Sequence, residues 1–379
     1  MTELKAGLQG VVVAQTKMSH VLGEEGRLIY AGYDIHDLAE QATFEEIAYM
    51  FWYWTLPNRR QLDGFDDSLK ARRGLPFHVM ELIRSAPTVQ SHPMSVLRTS
   101  VSALALGDPG SNDISQASNL RRSADLTAKI PTIVAAHARN RKGLEPLGPR
   151  DDLDHASNFL YMLRGSVPSP IEARALNLYL VLLADHGFNA STFSARVTAA
   201  TQSDIFSAIT SAIGTLKGPA HGGAGEVAMQ QFFDIGKVEN VEPWFQKLRA
   251  QRGRISGFGH REYKVEDPRA VHLRQAAGQL AEMTDSRWVN IAEKLEQAAR
   301  ADPYFIERKL FVNVDYYSAP LLYALGIEPD LFTSVFSMAR IVGWTGHLLE
   351  QYADNRLIRP RAEYIGPTNL KWVPVDQRG

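Results

Sequence analysis

The chain has 379 residues, 45% of them apolar, with 41 Lys and Arg against 42 Asp and Glu and a net charge of −1. That composition suits a globular protein of one large or two ordinary domains rather than a disordered one, and it offers no global attraction to nucleic acid or an anionic membrane. With no cysteine there can be no disulfide, thiolate zinc site, iron–sulfur cluster or cysteine nucleophile.

Met1–Gly10 is polar and lacks the apolar stretch of a signal peptide. Apolar runs such as Leu176–Ala184 are too short to span a bilayer. A cytoplasmic protein is expected, with no membrane partner.

The elements begin with β-prone runs at Val11–Val13, Lys17–Leu22 and Arg27–Tyr30, the last two separated by Gly23-Glu24-Glu25-Gly26. Helix signals then dominate. Thr43-Phe44-Glu45-Glu46 reads as a capping box ahead of Ile47, Met50, Phe51 and Trp54, which share a helical face, and Leu56-Pro57 ends that helix. Gly107–Asp113 and Arg139–Asp152 read as loops. Pro170 to Asp185 predicts a buried helix. Ser203 is placed as the cap of the next, lined by Ile205, Ile209, Ile213 and Leu216 and stopped by Gly218-Pro219. The tail from Pro360 reads as extended. No internal repeat and no βαβ alternation is present, so a mainly helical protein with a small N-terminal sheet is expected.

Several motifs are absent: no P-loop, no His-Glu-x-x-His and no Gly-x-Ser-x-Gly elbow. Gly257-Phe258-Gly259 lacks the third glycine of a dinucleotide fingerprint. None of the 11 histidines is paired at i, i+3 or i, i+4, so no metal site is expected.

Three segments carry candidate chemistry. In Lys217–Glu226 a glycine-rich turn joins two helices and places His221 near a helix N-terminus. The dipole there disfavours imidazolium, and a neutral histidine can polarise a carbonyl and stabilise an enol. A plain capping histidine is the other reading. Gly257-Phe258-Gly259-His260-Arg261, with Lys264 and Asp267-Pro268-Arg269, has the cations of an anion-recognition loop. It also reads simply as a solvated charged loop. Phe311–Ser318 surrounds Asp315 with apolar and aromatic residues, which raises a carboxyl pKa and strengthens it as a base. Alternatively, Asp315 caps a helix starting near Ser318, with Pro320 in its first turn. Arg340 lies in an otherwise apolar helix segment, where a charge needs a partner. Arg359 follows the end of that helix.

These residues resemble the citrate synthase family of the bacterial and archaeal type, over nearly the whole chain. Gly26–Ile35, His92-Pro93-Met94 with Leu97-Arg98-Thr99, Asp185–Phe193, Lys217–Gly223, Gly257–Arg269, Asn313–Ser318 and Ala339–Trp344 occur in the family's order. The resemblance implies an all-α fold with a large domain (1–221 and 327–379) and a small domain (222–326) that closes over the site. It implies Asp315 as the base toward acetyl-CoA, His221 as the donor that stabilises the enol, and His260 as the group polarising the oxaloacetate carbonyl. His186, Arg269, Arg340 and Arg359 would hold the oxaloacetate carboxylates, with Arg359 contributed across a homodimer. Phe336 would lie beside the substrate and Lys264 near the CoA phosphate. No permanently bound cofactor is implied; acetyl-CoA and CoA are substrate and product.

Two departures from the family stand out, the second of which bears on the acyl group. Glu262 stands where relatives often have valine, and Ala319 where many have glycine. Alanine there also occurs in 2-methylcitrate synthases, which use propionyl-CoA, so that activity is the rival reading. A non-catalytic helical scaffold and a metal hydrolase are the remaining alternatives. The first is tested by CoA release, the second by a chelator. His137, His155, His272 and His347 are read as satisfying local hydrogen bonds, and the six tryptophans as core or interface. The tail Arg361–Gly379 is expected to wrap a partner subunit.

Overall fold

The computed structural model describes residues 5–8, 10–88 and 90–378. Parts of the Met1–Gly10 stretch, and Gly379 at the end of the tail, lie outside the described residues. A three-stranded antiparallel sheet, β1 (Ser19–Leu22), β2 (Arg27–Tyr30) and β3 (Tyr33–Asp34), opens the fold. Ser19 to Leu22 pair with Tyr30 to Arg27. The two-residue turn into β3 has positive φ at both Ala31 (46°) and Gly32 (98°), the geometry that matches strand twist. Val11–Val13, expected as β, is not a strand, and Val12 is 89% exposed. No described strand pairs with it, and β propensity without a partner does not hold a strand.

Seventeen α-helices follow among the described residues: α1 (Ile35–Gln41), α2 (Phe44–Tyr53), α3 (Arg59–Lys70), α4 (Phe77–Ser85), α5 (Pro93–Leu104), α6 (Gln116–Arg141), α7 (His155–Arg164), α8 (Pro170–Leu183) and α9 (Ala190–Ala200). Beyond them come α10 (Ile205–Leu216), α11 (Ala224–Ile235), α12 (Val241–Ala250), α13 (Ala270–Ala281), α14 (Arg287–Ala301), α15 (Pro303–Glu307), α16 (Val314–Ala324) and α17 (Phe332–Ala353). The mainly helical class expected from the sequence is the one observed. α17 is buried on nearly every face, as an all-round apolar helix must be. It packs against α2, α6, α8, α9 and α10. No helix among the described residues is long and apolar enough to cross a membrane.

The Thr43–Glu46 capping box forms with both of its reciprocal bonds. Trp54, placed by pattern on the buried face of α2, instead ends that helix in a left-handed conformation and is 42% exposed. Trp372 is likewise exposed, whereas Trp52 and Trp344 are core. The cap of α10 is Asp204, one residue beyond Ser203: its carboxylate accepts from the Ser207 amide, and a carboxylate also favours the positive helix end. Arg139–Arg141 belong to the last turn of α6 rather than to the loop after it.

Candidate active site

The site is assembled where α17, the α8–α9 turn, the α10–α11 turn, the 256–269 loop and the start of α16 meet. Glycines make this meeting possible. A Cβ on Gly23 would stand 2.2 Å from the Glu262 carbonyl oxygen, and one on Gly26 would stand 2.6 Å from Val265. With Lys264 N–H donating to Gly23 O at 3.0 Å, the β1–β2 turn becomes the seat of the loop that carries His260. Gly257 has φ 81° and approaches Tyr316 so closely that a Cβ would lie 2.7 Å from it. Asn313 N–H donates to Gly257 O at 2.8 Å, and Asn313 Nδ2 donates to Gly259 O at 2.8 Å. The histidine loop is thereby tied to the segment carrying Asp315.

His260 Nδ1 accepts from the amides of Glu262 (3.0 Å) and Tyr263 (3.2 Å). Two donors on one nitrogen place the ring proton on Nε2, which can then donate to a ligand. Burial, with Arg269 adding, pushes this imidazole down to about 4, so it is neutral at pH 7. Its ring lies 5.1 Å from that of His186 and 4.7 Å from Tyr263, whose hydroxyl is 3.2 Å from His186 Nε2. Burial, Arg269, His260 and Arg340 hold His186 well below the usual histidine range.

His221 sits in the turn between α10 and α11. Gly222 there approaches Leu216 O so closely that a Cβ would lie 2.5 Å away. His221 Nε2 faces Ser191 Oγ at 2.9 Å and Ser191 N–H at 3.4 Å. Trp344 Nε1 donates to the same hydroxyl at 3.1 Å. The Ser191 amide donates to Nε2, which favours the proton on Nδ1, while the Ser191 hydroxyl also donates to Asn189 Oδ1 at 2.8 Å. Burial, with Arg340 adding, pushes His221 down to about 4.

α16 begins at Val314, four residues before the expected start, and Asn313 caps it by accepting from the Asp315 amide at 3.0 Å. Asp315 is therefore not the capping acid, and Pro320 lies inside the helix rather than in its first turn. Burial raises the Asp315 carboxyl to about 6, with the Asp267 charge assisting and Arg269 and Arg340 opposing.

The two buried arginines differ. Arg269 is held fork to fork by Asp267, Nε to Oδ1 at 2.9 Å and Nη2 to Oδ2 at 2.7 Å. Burial opposes its charge, and Asp267 overrides that, holding the guanidinium above its ordinary range. Arg340 is only 2% exposed. It donates Nε to Leu183 O at 2.8 Å and lies 4.8 Å from the centre of the Phe336 ring. It forms no salt bridge among the described residues, and burial lowers its pKa. A buried cation without a carboxylate is costly unless a ligand supplies one.

Two expected residues stand apart. Lys264 turns its Nζ to Arg261 O at 2.9 Å. Arg359 is exposed in the extended tail beyond α17, and no hydrogen bond or ion pair joins it to the others among the described residues.

Sequence reasoning passed over Tyr263, Ser191, Trp344 and a buried network behind His186. Ser19 Oγ donates to Asp185 Oδ2 at 2.5 Å and accepts from Gly187 N–H at 2.9 Å. His347 lies 3.3 Å from Asp185 and 3.5 Å from Glu350. Burial opposes charge on His347, yet the two carboxylates raise its pKa. The local-bond reading thus holds for His347 and for His272, which meets His36. It fails for His137, both of whose ring nitrogens are buried without a hydrogen-bond partner among the described residues, and in part for His155, whose Nε2 is likewise unpartnered while the ring packs 4.9 Å from Phe44.

Two neutral imidazoles, a desolvated carboxylate of raised pKa and a buried guanidinium without a salt bridge have the chemistry to enolise a carbon acid beside an anionic acceptor. The model of the citrate synthase C-terminal domain matches residues 7–361. The chain is 46% identical to citrate synthase 2 of Bacillus subtilis, over 98% of both chains. It is 39% identical to 2-methylcitrate synthase of Mycobacterium tuberculosis, over 96% of this chain and 91% of that one. The crystal structure of citrate synthase from Pyrobaculum aerophilum superposes with a TM-score of 0.92 at 39% identity, covering 98% and 95%. That of the Thermoplasma acidophilum enzyme, a ternary complex with carboxymethyl coenzyme A and oxaloacetate, gives 0.93 at 31% identity, covering 99% and 100%. The chain belongs to the citrate synthase family. It is an acyltransferase that condenses acetyl-CoA with oxaloacetate to citrate.

Proposed function

We propose that Asp315 removes a methyl proton from acetyl-CoA while His221 donates Nδ1–H to the thioester oxygen as it becomes an enol. The thioester methyl is a very weak acid, so a carboxylate succeeds only if the oxygen is stabilised as charge develops. The raised pKa of Asp315 makes it a stronger base, and a neutral His221 can donate without being cationic. His260 Nε2–H polarises the oxaloacetate ketone, and the enol carbon attacks it. Water then hydrolyses the citryl thioester.

The observation that carries this reading is Arg340, a buried cation in want of a carboxylate, stacked on Phe336 beside His186 and Arg269. These residues hold oxaloacetate, Arg269 through the Nη1 edge that Asp267 does not occupy. Lys264 lies on the CoA side and can swing from Arg261 O to a phosphate. Residues 222–326 form a small domain that closes and excludes water until the carbon–carbon bond exists. No permanently bound cofactor takes part. The working unit is a homodimer in which a second copy supplies Arg359 and the tail wraps its neighbour. A cysteine-free chain suits the cytoplasm, where we place it.

Ala319 favours a second reading. It stands one helical turn after Asp315 on α16 and is buried, so its methyl shares a face with the base. One methylene is worth only about 1–3 kcal/mol of discrimination, and 2-methylcitrate synthesis is the rival. CoA release with oxaloacetate and either acetyl-CoA or propionyl-CoA decides: acetyl-CoA is expected to have the higher kcat/KM, and a large propionyl preference refutes the choice. Mixing Asp315→Asn with Arg359→Ala chains tests the dimer, since only a site shared between subunits regains activity.

A further inference from the structure

We propose that His36 and His272 form a binding site for a divalent transition-metal ion, of the zinc, nickel or copper(II) class, bridging α1 and α13. The two residues are 236 positions apart, so no sequence spacing could pair them. His36 Nδ1 lies 2.8 Å from His272 Nε2, with ring centroids 5.0 Å apart and planes inclined by 47°. The two nitrogens face each other across this contact, where a cation can replace the shared proton. Tetrahedral coordination with bonds of about 2.0–2.1 Å sets two nitrogens about 3.3 Å apart. A separation of about 0.5 Å therefore converts the hydrogen bond into a chelate.

Access and charge both suit a cation. His36 is exposed and His272 half-buried, so an ion and its completing waters can enter. Asp37 and Glu40 are exposed on α1. Glu40 stands one turn from His36 on the same face, and its charge acts on His272. Imidazole donors select borderline transition cations over magnesium or calcium. Among the described residues no three such side chains already converge as a complete ligand set. The site is thus a two-imidazole clamp, with Glu40 or water supplying the rest.

The clamp has a consequence for the enzyme. Arg269 is the N-cap of α13, while α1 lies in the part of the chain assigned above to the large domain. A bound ion staples α13, and Arg269 with it, to α1. Resting on the closure reading, this slows reopening and lowers turnover; binding itself does not depend on that reading.

The test is calorimetric titration of Zn²⁺ into the full chain and into His36→Gln and His272→Gln, with Mg²⁺ as control and circular dichroism to verify folding. Neither histidine belongs to the catalytic set, so both variants should keep basal activity. Each substitution is expected to weaken zinc binding by more than about 10–100-fold, the penalty for losing even a supporting partner of a metal ligand. Zinc should lower wild-type turnover and spare both variants. Unchanged zinc binding in the variants, or equal binding of magnesium, overturns the site. Binding lost in the variants with wild-type turnover untouched by zinc overturns the staple.

Discussion

Replacing Asp315 by asparagine separates its catalytic use from its cost to folding. Burial raises the carboxyl from 3.8 to about 6. That gap of about 2 units corresponds to up to about 3 kcal/mol. Because the folded value lies above the unfolded one, the folded protein binds more protons between the two. The favourable state is complete below about pH 4 and is lost as pH rises through about 6, above which the full cost of a desolvated carboxylate stands. Asparagine has no charge to desolvate. The variant should be up to about 3 kcal/mol more stable than wild type at pH 8 and lose that advantage near pH 4. Urea unfolding at the two pH values measures this, provided the m-value is unchanged. Activity moves the other way: losing a general base should cost about 10²–10⁴-fold or more in kcat. In wild type, kcat/KM for acetyl-CoA should fall about tenfold per pH unit below about 6, because His221 and His260, at about 4, remain neutral there. A variant less stable than wild type at pH 8, or a wild-type rate flat down to about pH 5, refutes the reasoning.

Arg340→Leu removes the unpaired guanidinium and should raise KM for oxaloacetate by about 10–150-fold, the value of a charged hydrogen bond at about 1.5–3 kcal/mol; a KM unchanged in steady-state kinetics counts against its role. His347→Gln removes the imidazole that contacts Asp185, while Arg196 remains beside Glu350, and should cost about 1–3 kcal/mol in urea unfolding, the penalty for a buried polar group left unsatisfied. It should also raise KM for oxaloacetate more than it lowers kcat, because Asp185 adjoins His186. Gly23→Ala forces a Cβ to within 2.2 Å of Glu262 O, so the His260 loop must shift. A stability loss of about 1–3 kcal/mol with a fall in kcat/KM is expected, and unaltered kinetics would show that the turn is not the loop's seat.

Much of the fold was legible because local chemistry and packing agree. The Thr43 capping box, the apolar line Ile205–Leu216 and the strand pair around Gly23–Gly26 each formed as their residues indicate. What failed was what depends on a distant partner. Val11–Val13 has β propensity but nothing to pair with. The start of α16 was misplaced because Asn313, rather than Asp315, caps it, and a Pro inside the helix looked like a first-turn signal. In the site, the polar residues at glycine turns were visible, since glycine marks where backbone must approach closely. The supporting set was not. Ser19, Asp185 and His347 are separated by more than 160 positions, and only folding shows that an ordinary-looking histidine in α17 contacts the acid beside His186.

The charges within one chain do not balance for this substrate. Asp267 neutralises Arg269, and Asp185 faces both His347 and Arg340. Arg340 forms no salt bridge among the described residues, with Asp185 as its main compensating charge, and Asp315 becomes negative near neutral pH. Oxaloacetate brings two carboxylates. Burial magnifies such a deficit, since unpaired charge is more costly in a low-dielectric interior than in water. The histidines cannot make it up: charging His221 or His260 at pH 7 against a pKa of about 4 costs about 4 kcal/mol, and it would forfeit the neutral donors proposed for the enol and the ketone. A cation from outside this set would complete the balance. Lys264 is engaged with a backbone carbonyl at the surface. Arg359 sits exposed in a tail whose Leu357, Tyr364, Ile365 and Trp372 also lie open to solvent, the apolar content of a segment meant to be covered. A second copy that covers the tail and receives its arginine, as proposed above, would settle both imbalances at once.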